Sequence, residues 1–299
     1  YAMHRAQEAG IDDNGIGALF GLYDWRFELM GLLAHARELE RVFGIGPHTL
    51  SFPRLEPAGN APYLDETPWR VPDADMERLV VLIRLAVPYT GMILTARENL
   101  EMRRRLLPLG VTQTDASSRI GVGAYADAEH RTSNAEHRTS NIEHRTAEIE
   151  RSVNVQHPTS NIQRPSGEED RRDSSPPEPR TPNPASSPQD AGRQQFILGD
   201  TRSLDDLVGE LARDGIIVSF CTAGYRCGRT GQCIMDLLRD GTEGKFCKLN
   251  AILTYREWLD DFASPETLAA GERVIAGEIE QVRARMPKAF PKFMESYER

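Results

Sequence analysis

Residues 89–107 read YTGMILTARENLEMRRRLL, and Pro108 and Gly110 follow closely. Tyr89 to Thr95 is a short apolar run suited to a buried strand. Polar residues come next, and Glu98 or Asn99 is placed to open a helix. That helix should end near Leu107, because proline restricts the residue before it. Val111 to Asp115 then reads as another strand. The same alternation extends back towards the first residue. Positions 2–9 form a short helix ended by Gly10. Gly15 to Gly21 is a glycine-punctuated apolar strand. Residues 25–42 have apolar positions three and four apart and read as a helix. His48 to Pro53 is a strand, and Asp73 or Asp75 caps a helix over 76–86. Strand and helix in turn, with polar loops after the strands, mark a βα barrel or an open α/β sheet. Four units in the first 125 residues make half a barrel, since closure takes about 250 residues. Half a barrel leaves strand edges unpaired.

Composition narrows the function. The chain has 299 residues and a net charge of -9. An acidic surface is poorly matched to phosphate, so nucleic acid is not an expected partner. No apolar run reaches membrane-spanning length, so no membrane association is expected. No signal peptide is visible, and the first residue, Tyr1, already lies in amphipathic sequence. The chain thus reads as starting inside a protein. Its four cysteines all fall between 221 and 247. Such clustering suits metal or redox chemistry in a reducing compartment, hence a cytoplasmic location.

Three zones follow. Residues 1–125 carry the βα pattern. Residues 126–193 contain EHRTSNA (129–135), EHRTSNI (136–142) and EHRTAEI (143–149), then a stretch dense in Pro, Ser, Glu, Asp and Arg. Each repeat has one apolar position, so a coiled-coil seam is absent. His130, His137 and His144 recur at seven and could in principle bind metal, but low-complexity, disordered sequence is the simpler reading. Residues 194–296 contain an amphipathic helix from Asp200 or Ser203 to Asp214. They continue with a strand-like run at Ile216 to Phe220, the cysteine region, helix at Glu257 to Phe262, a long helix at Pro265 to Met286 and a polar tail.

Two groups of residues could carry chemistry. Cys221, Cys227, Cys233 and Cys247 lack the C-x2-C pairs of zinc ribbons, while iron–sulfur clusters tolerate varied spacing because thiolates need only converge. Glycines between them would let the backbone wrap a compact cofactor. Buried cysteines packing as small hydrophobes are the plain alternative. The second group lies at strand ends. Arg54, supported by Ser51, could hold a carboxylate, and Arg97 offers a second guanidinium. His48 sits on the same strand as Ser51. No G-x-S-x-G, Walker loop or H-E-x-x-H occurs, which leaves hydrolase, nucleotide and zincin readings without support.

Several stretches together resemble one family: residues 1–28, GPHTLSFPRLEPA (46–58), RLAVPYTGMILTARE (84–98), GVTQTDASSRIGVGAY (110–125), QFILGDTRSLDDLV (195–208) and SFCTAGYRCGRTG (219–231). They look like the radical-SAM tyrosine lyases, closest to the [FeFe]-hydrogenase maturase branch, with 2-iminoacetate synthase as the sister branch. The resemblance covers about three quarters of the chain.

It implies an α/β fold: the C-terminal half of a radical-SAM βα barrel, including a biotin and thiamin synthesis-associated region, then a mostly helical auxiliary iron–sulfur domain. It implies tyrosine as substrate, cleaved to p-cresol and dehydroglycine, and carbon monoxide and cyanide as later products. S-adenosylmethionine and a [4Fe–4S] cluster held by C-x3-C-x2-C belong to the family, yet this chain has no cysteine before 221. By itself it should not generate the radical; a radical-SAM half and other hydrogenase maturation proteins are the implied partners. In the family's auxiliary motif, Cys221 matches the first ligand and Cys247 the third. Gly224 stands where the middle cysteine is expected, with Cys227 as a substitute and Cys233 as a spare. His48 matches a histidine that ligates the extra iron of the auxiliary cluster. Thiamine biosynthesis, or a non-catalytic iron–sulfur fragment, are the rival readings.

Overall fold

The computed structural model describes residues 1–56, 67–118, 198–200, 202–220 and 230–298. Four strands, β1 (Gly15–Gly17), β2 (Thr49–Ser51), β3 (Gly91–Leu94) and β4 (Gln113–Thr114), pair in parallel in the order of the chain. Sequential order without reversal is barrel-like winding; a doubly wound sheet would turn back at a switch point. Helices α1 (Ala2–Glu8), α2 (Trp25–Phe43), α3 (Asp73–Ala86) and α4 (Leu100–Leu106) alternate with the strands, and a 3-10 turn at Leu107–Leu109 carries Pro108. The fold is therefore a parallel sheet with flanking helices, a partial βα barrel, followed by a mostly helical region.

Local chemistry explains the elements. The Asn99 side chain accepts from Met102 N at 2.9 Å and starts α4, and Asp24 does the same for α2 through Arg26 N at 2.8 Å. Trp25, Leu29, Leu32, Ala36 and Leu39 recur at four- and three-residue steps and bury one stripe of α2. That stripe meets Ile16, Leu50, Met92 and Leu94 of the sheet and Met76, Leu79, Val80 and Ile83 of α3 in one core. Alternate sheet positions, Thr49, Ser51 and Ile93, are half-buried on the other face.

The helical region comprises α5 (Leu204–Arg213), α6 (Gly231–Asp240), α7 (Thr242–Phe262), α8 (Pro265–Arg285) and α9 (Phe290–Tyr297). Its core centres on Leu249, Ile252, Tyr255, Leu259, Ile275, Val282 and Phe293. Three expectations need correction here. Ile216 to Phe220 forms no strand: with no strand beside it, the run packs Ile217, Val218 and Phe220 against the helices, and Phe220 stacks on Trp258 with ring centroids 5.3 Å apart. The helix expected at Glu257 begins at Thr242, because Phe246, Leu249, Ile252 and Leu253 already bury one stripe. The polar tail contains α9, which inserts Phe293 fully into the core.

Candidate functional site

Parallel strands put like ends together, and the polar residues separate into two groups at opposite ends of the sheet. The C-terminal ends carry Ser51, Arg54 and Arg97. Arg54 lies just past β2, bridged to Phe20, and its guanidinium is turned inward. It donates through Nε and Nη2 to both oxygens of Glu98, at 2.9 and 2.7 Å, and through Nη1 to the Val71 carbonyl at 2.8 Å. Asp73 at 2.8 Å and Glu56 at 3.2 Å complete a ring of carboxylates around it. Burial works against its charge, yet Glu98, Asp73 and Glu56 outweigh it and raise the guanidinium pKa. Arg97 behaves oppositely: burial lowers its pKa and Glu56 only partly restores it. Glu56 thus acts on both arginines, and its own pKa is raised by burial. Ser51 is half-buried at the end of β2. Glu56 therefore places Arg54 and Arg97 in one rim corner, with Ser51 at the end of β2 on the same side of the sheet.

A second feature braces this rim. Buried Arg103 on α4 donates to Thr114 Oγ1 at 2.6 Å and to the Asp115 carbonyl, and sits 3.4 Å from Asp200. Burial lowers its pKa. Arg202 holds the Asp200 carboxylate below its usual range. Gly199 N donates to the Ala96 carbonyl at 2.9 Å. Chain on both sides of the low-complexity stretch is thereby fastened to the same loop.

His48 lies at the other end, before β2. Its peptide N–H donates to the Asn14 carbonyl at 2.9 Å, and its carbonyl accepts from Gly91 N at 2.7 Å. The ring Nδ1 is 2.9 Å from Asp13 Oδ1, both side chains being about one-fifth exposed. The preceding turn is closely packed. A Cβ on Gly46 would collide with the Tyr89 hydroxyl and lie 2.9 Å from Glu40 Cγ. Burial, aided by Glu40, pushes the Tyr89 phenol far above its ordinary value. Arg239 of α6 approaches Glu40 at 3.4 Å and lies over the Tyr89 ring.

The loop carrying Asp13 also meets the helical region. Thr230 Oγ1 donates to Asp12 Oδ2 at 3.4 Å, and the neighbouring Gly231 has φ +55° with no room for a Cβ against that carboxylate. Thr230 and Gly231 open α6 directly after the cysteine motif. Neighbouring aspartates in one loop thus touch the histidine and the exit of that motif. Cys233 is half-buried on α6 and Cys247 exposed near the start of α7. Cys221 and Cys227 lie outside the described residues. Among the described residues no group of three or more His, Cys, Asp or Glu side chains converges to hold a metal ion. No helix among them is long and apolar enough to cross a membrane. Sequence reasoning named His48, Ser51, Arg54 and Arg97, but missed Asp13, Glu98 and Tyr89. Two adjacent acids just before a strand, at Asp12 and Asp13, were the available signal for the first.

Comparisons with known proteins agree with this architecture. The profile of the Biotin and Thiamin Synthesis associated domain matches residues 51–217, more than half the chain. The 2-iminoacetate synthases of Escherichia coli (strain K12) and Salmonella typhimurium are 32% and 30% identical to it over 128 residues, which is 41% of this chain and 32% of each relative. A crystal structure of HydG, a maturase of the [FeFe]-hydrogenase, is similar over 99% of this chain and 50% of its own, at 34% identity and a TM-score of 0.72. HydG from Carboxydothermus hydrogenoformans is similar over 99% of this chain and 49% of its own, at 31% identity and a TM-score of 0.61. The chain therefore spans about half the length of these solved relatives and a third of the curated ones.

Proposed function

The chain belongs to the family of the Biotin and Thiamin Synthesis associated domain, and from that premise we propose that it forms the C-terminal portion of a radical-SAM tyrosine lyase of the HydG type. The observation that carries this reading is the loop Ile11–Asn14. It contacts both His48 and Thr230, the residue that opens the helix following the cysteine motif in sequence. Of the two branches, the histidine and cysteine motif favour the maturase over 2-iminoacetate synthase.

An auxiliary iron–sulfur cluster fits the donor set of this region: soft thiolates plus an imidazole already braced by a carboxylate. Cys221, Cys227 and Cys247 would hold it, with Cys233 as the spare and His48 as the ligand to an additional iron. When bound, such a cluster supplies the iron and thiolate-tuned redox chemistry that side chains lack. The chain's own residues orient and shield. Arg97, with Ser51 at the neighbouring strand end, would take the carboxylate of an amino-acid substrate, tyrosine in this reading, while Arg54 is already committed to Glu98, Asp73 and Glu56 and braces the rim. Buried Glu98 fixes the Arg54 guanidinium, and Glu56 acts on both arginines.

The radical-generating cysteines would come from sequence outside these residues or from a partner chain. S-adenosylmethionine and the [4Fe–4S] cluster belong to that half. Other hydrogenase maturation proteins would receive the product.

Anaerobic reconstitution with iron and sulfide, counted per chain, tests the cluster. Wild type should bind both, Cys227→Ala should lose them, and Cys233→Ala should keep them. A wild-type chain that binds no iron refutes the auxiliary site, and an unchanged Cys227→Ala refutes the ligand substitution. Combination with a radical-SAM half, S-adenosylmethionine, reductant and tyrosine should release p-cresol. Turnover of neither S-adenosylmethionine nor tyrosine refutes the lyase reading.

A further inference from the structure

We propose that Asp13 is a positioning residue for His48, fixing the ring so that a metal ion bound there is taken through Nε2. This deepens the auxiliary-cluster reading and rests on it. A carboxylate is an acceptor only, so the 2.9 Å contact requires Nδ1 to carry the proton. In the neutral ring the lone pair then belongs to Nε2. The backbone removes the remaining freedom. The peptide N–H and carbonyl of His48 are both engaged, to Asn14 and Gly91. Thr90 Oγ1 donates to the Pro47 carbonyl at 3.0 Å, and Gly46 is pressed against Tyr89 and Glu40. The ring has little latitude except rotation about its own side-chain bonds, and Asp13 stops that rotation.

A carboxylate behind a ligating imidazole fixes the tautomer and strengthens the ligand; losing it typically costs 10–100-fold in metal affinity. Asp12 adds the second half of the device. Through Thr230 it contacts the start of α6, so the same loop bears on both the histidine and that helix. Asp13 aims the ring, and Asp12 ties the neighbouring loop position to the start of α6.

Ferrous iron titrated onto the anaerobically reconstituted chain tests this, with sulfide-bound iron counted separately and histidine nitrogen coupling followed by pulsed EPR. Wild type should show one iron beyond the cluster with nitrogen coupling, and His48→Ala should show neither. Asp13→Ala should keep cluster iron and sulfide but bind the additional iron at least tenfold more weakly, with the coupling lost. Asp13→Asn, which keeps the shape and an accepting amide oxygen, should fall between them, and it gives the answer where Asp13→Ala fails to fold. Wild-type affinity and coupling in both Asp13 variants overturn the positioning role. An additional iron that survives His48→Ala, or is absent from wild type, overturns the underlying ligand assignment instead, whatever the Asp13 variants do.

Discussion

Arg54→Met is the most informative change for the C-terminal rim. The Arg54 side chain is 7% exposed and Glu98 2%, so the pair lies out of water. Removing the guanidinium leaves Glu98 as a buried charge beside Glu56 and Asp73, both of its own sign. Breaking a buried pair from one side costs about 3–5 kcal/mol, and the lost hydrogen bond to Val71 adds about 1 kcal/mol. Asp73 is 51% exposed and contributes little either way. Arg54→Met should therefore remove a large share of a typical domain stability of about 5–15 kcal/mol. Arg54→Met/Glu98→Met replaces both charges with similar apolar volume, and that exchange is often neutral or stabilising. Urea unfolding of wild type, both single variants and the double variant closes the cycle. A coupling of roughly 3 kcal/mol is expected, with the double variant more stable than Arg54→Met. If Arg54→Met lies within about 1 kcal/mol of wild type and the coupling vanishes, Glu98 does not hold the guanidinium and the structural assignment fails.

Acid should loosen the brace around Asp200 and Glu210. Arg202 lowers the first carboxyl from its ordinary 3.8, and Arg104 and Arg202 lower the second from 4.5. Each binds a proton less readily folded than unfolded. Its stabilisation is complete above the ordinary value and drains as pH falls through the lower folded one. Urea midpoints taken down to pH 3 should fall less steeply for Asp200→Asn than for wild type; parallel curves would remove the brace from the account. Gly46→Ala should cost about 1–3 kcal/mol through overpacking, and Tyr89→Phe should relieve part of it by deleting the hydroxyl in the way. An undiminished cost in the double variant would place the strain elsewhere. Replacing 126–193 by a short Gly-Ser linker shortens the connection about sixfold, which should stabilise by about 1.5 kcal/mol from loop closure alone. A loss of more than about 2 kcal/mol would mean that the repeat region contributes to the fold.

The barrel half was legible because each unit carries local signals that agree. Asn99 caps α4, Pro108 ends it, and the α2 stripe repeats at helical spacing. Strand lengths were overestimated, since the chain beyond β3 turns into buried loop that bonds to side chains, as Ala96 N does to Asp115 Oδ2 at 3.1 Å. The helical region read poorly for a different reason. Cys247 lies within α7, so the cysteine run overlaps the helix's first turns, and Ile216 to Phe220 has strand composition but is taken up by the helical core. Strand pairing is a tertiary fact, absent from any single segment. The sequence could name candidate residues but not their surroundings. His48 and Arg54 lie six positions apart in one extended run, yet they serve opposite ends of the sheet. The partners that give them character, Asp13 and Glu98, are distant in sequence and look like ordinary surface acids there.

The two ends also differ in what holds them. The barrel core and the helical core share no buried residue. Polar contacts link them: Asp12 to Thr230, Glu40 to Arg239, Arg104 to Glu210 and Arg103 to Asp200. Of these, only Arg103 and Asp200 are deeply buried. Exposed pairs are worth about 0–1 kcal/mol each, so the contacts beside His48 set position and supply little stability. Substitution at Asp12 or Arg239 should therefore leave the urea unfolding midpoint nearly unchanged. Around Arg54 the order reverses, because the Arg54–Glu98 pair is buried and disturbing it should destabilise the rim before any effect on a ligand can be read. Stability is thus the sensitive measurement at the Arg54 end of the sheet, and metal titration the one that tests the proposal made for the His48 end.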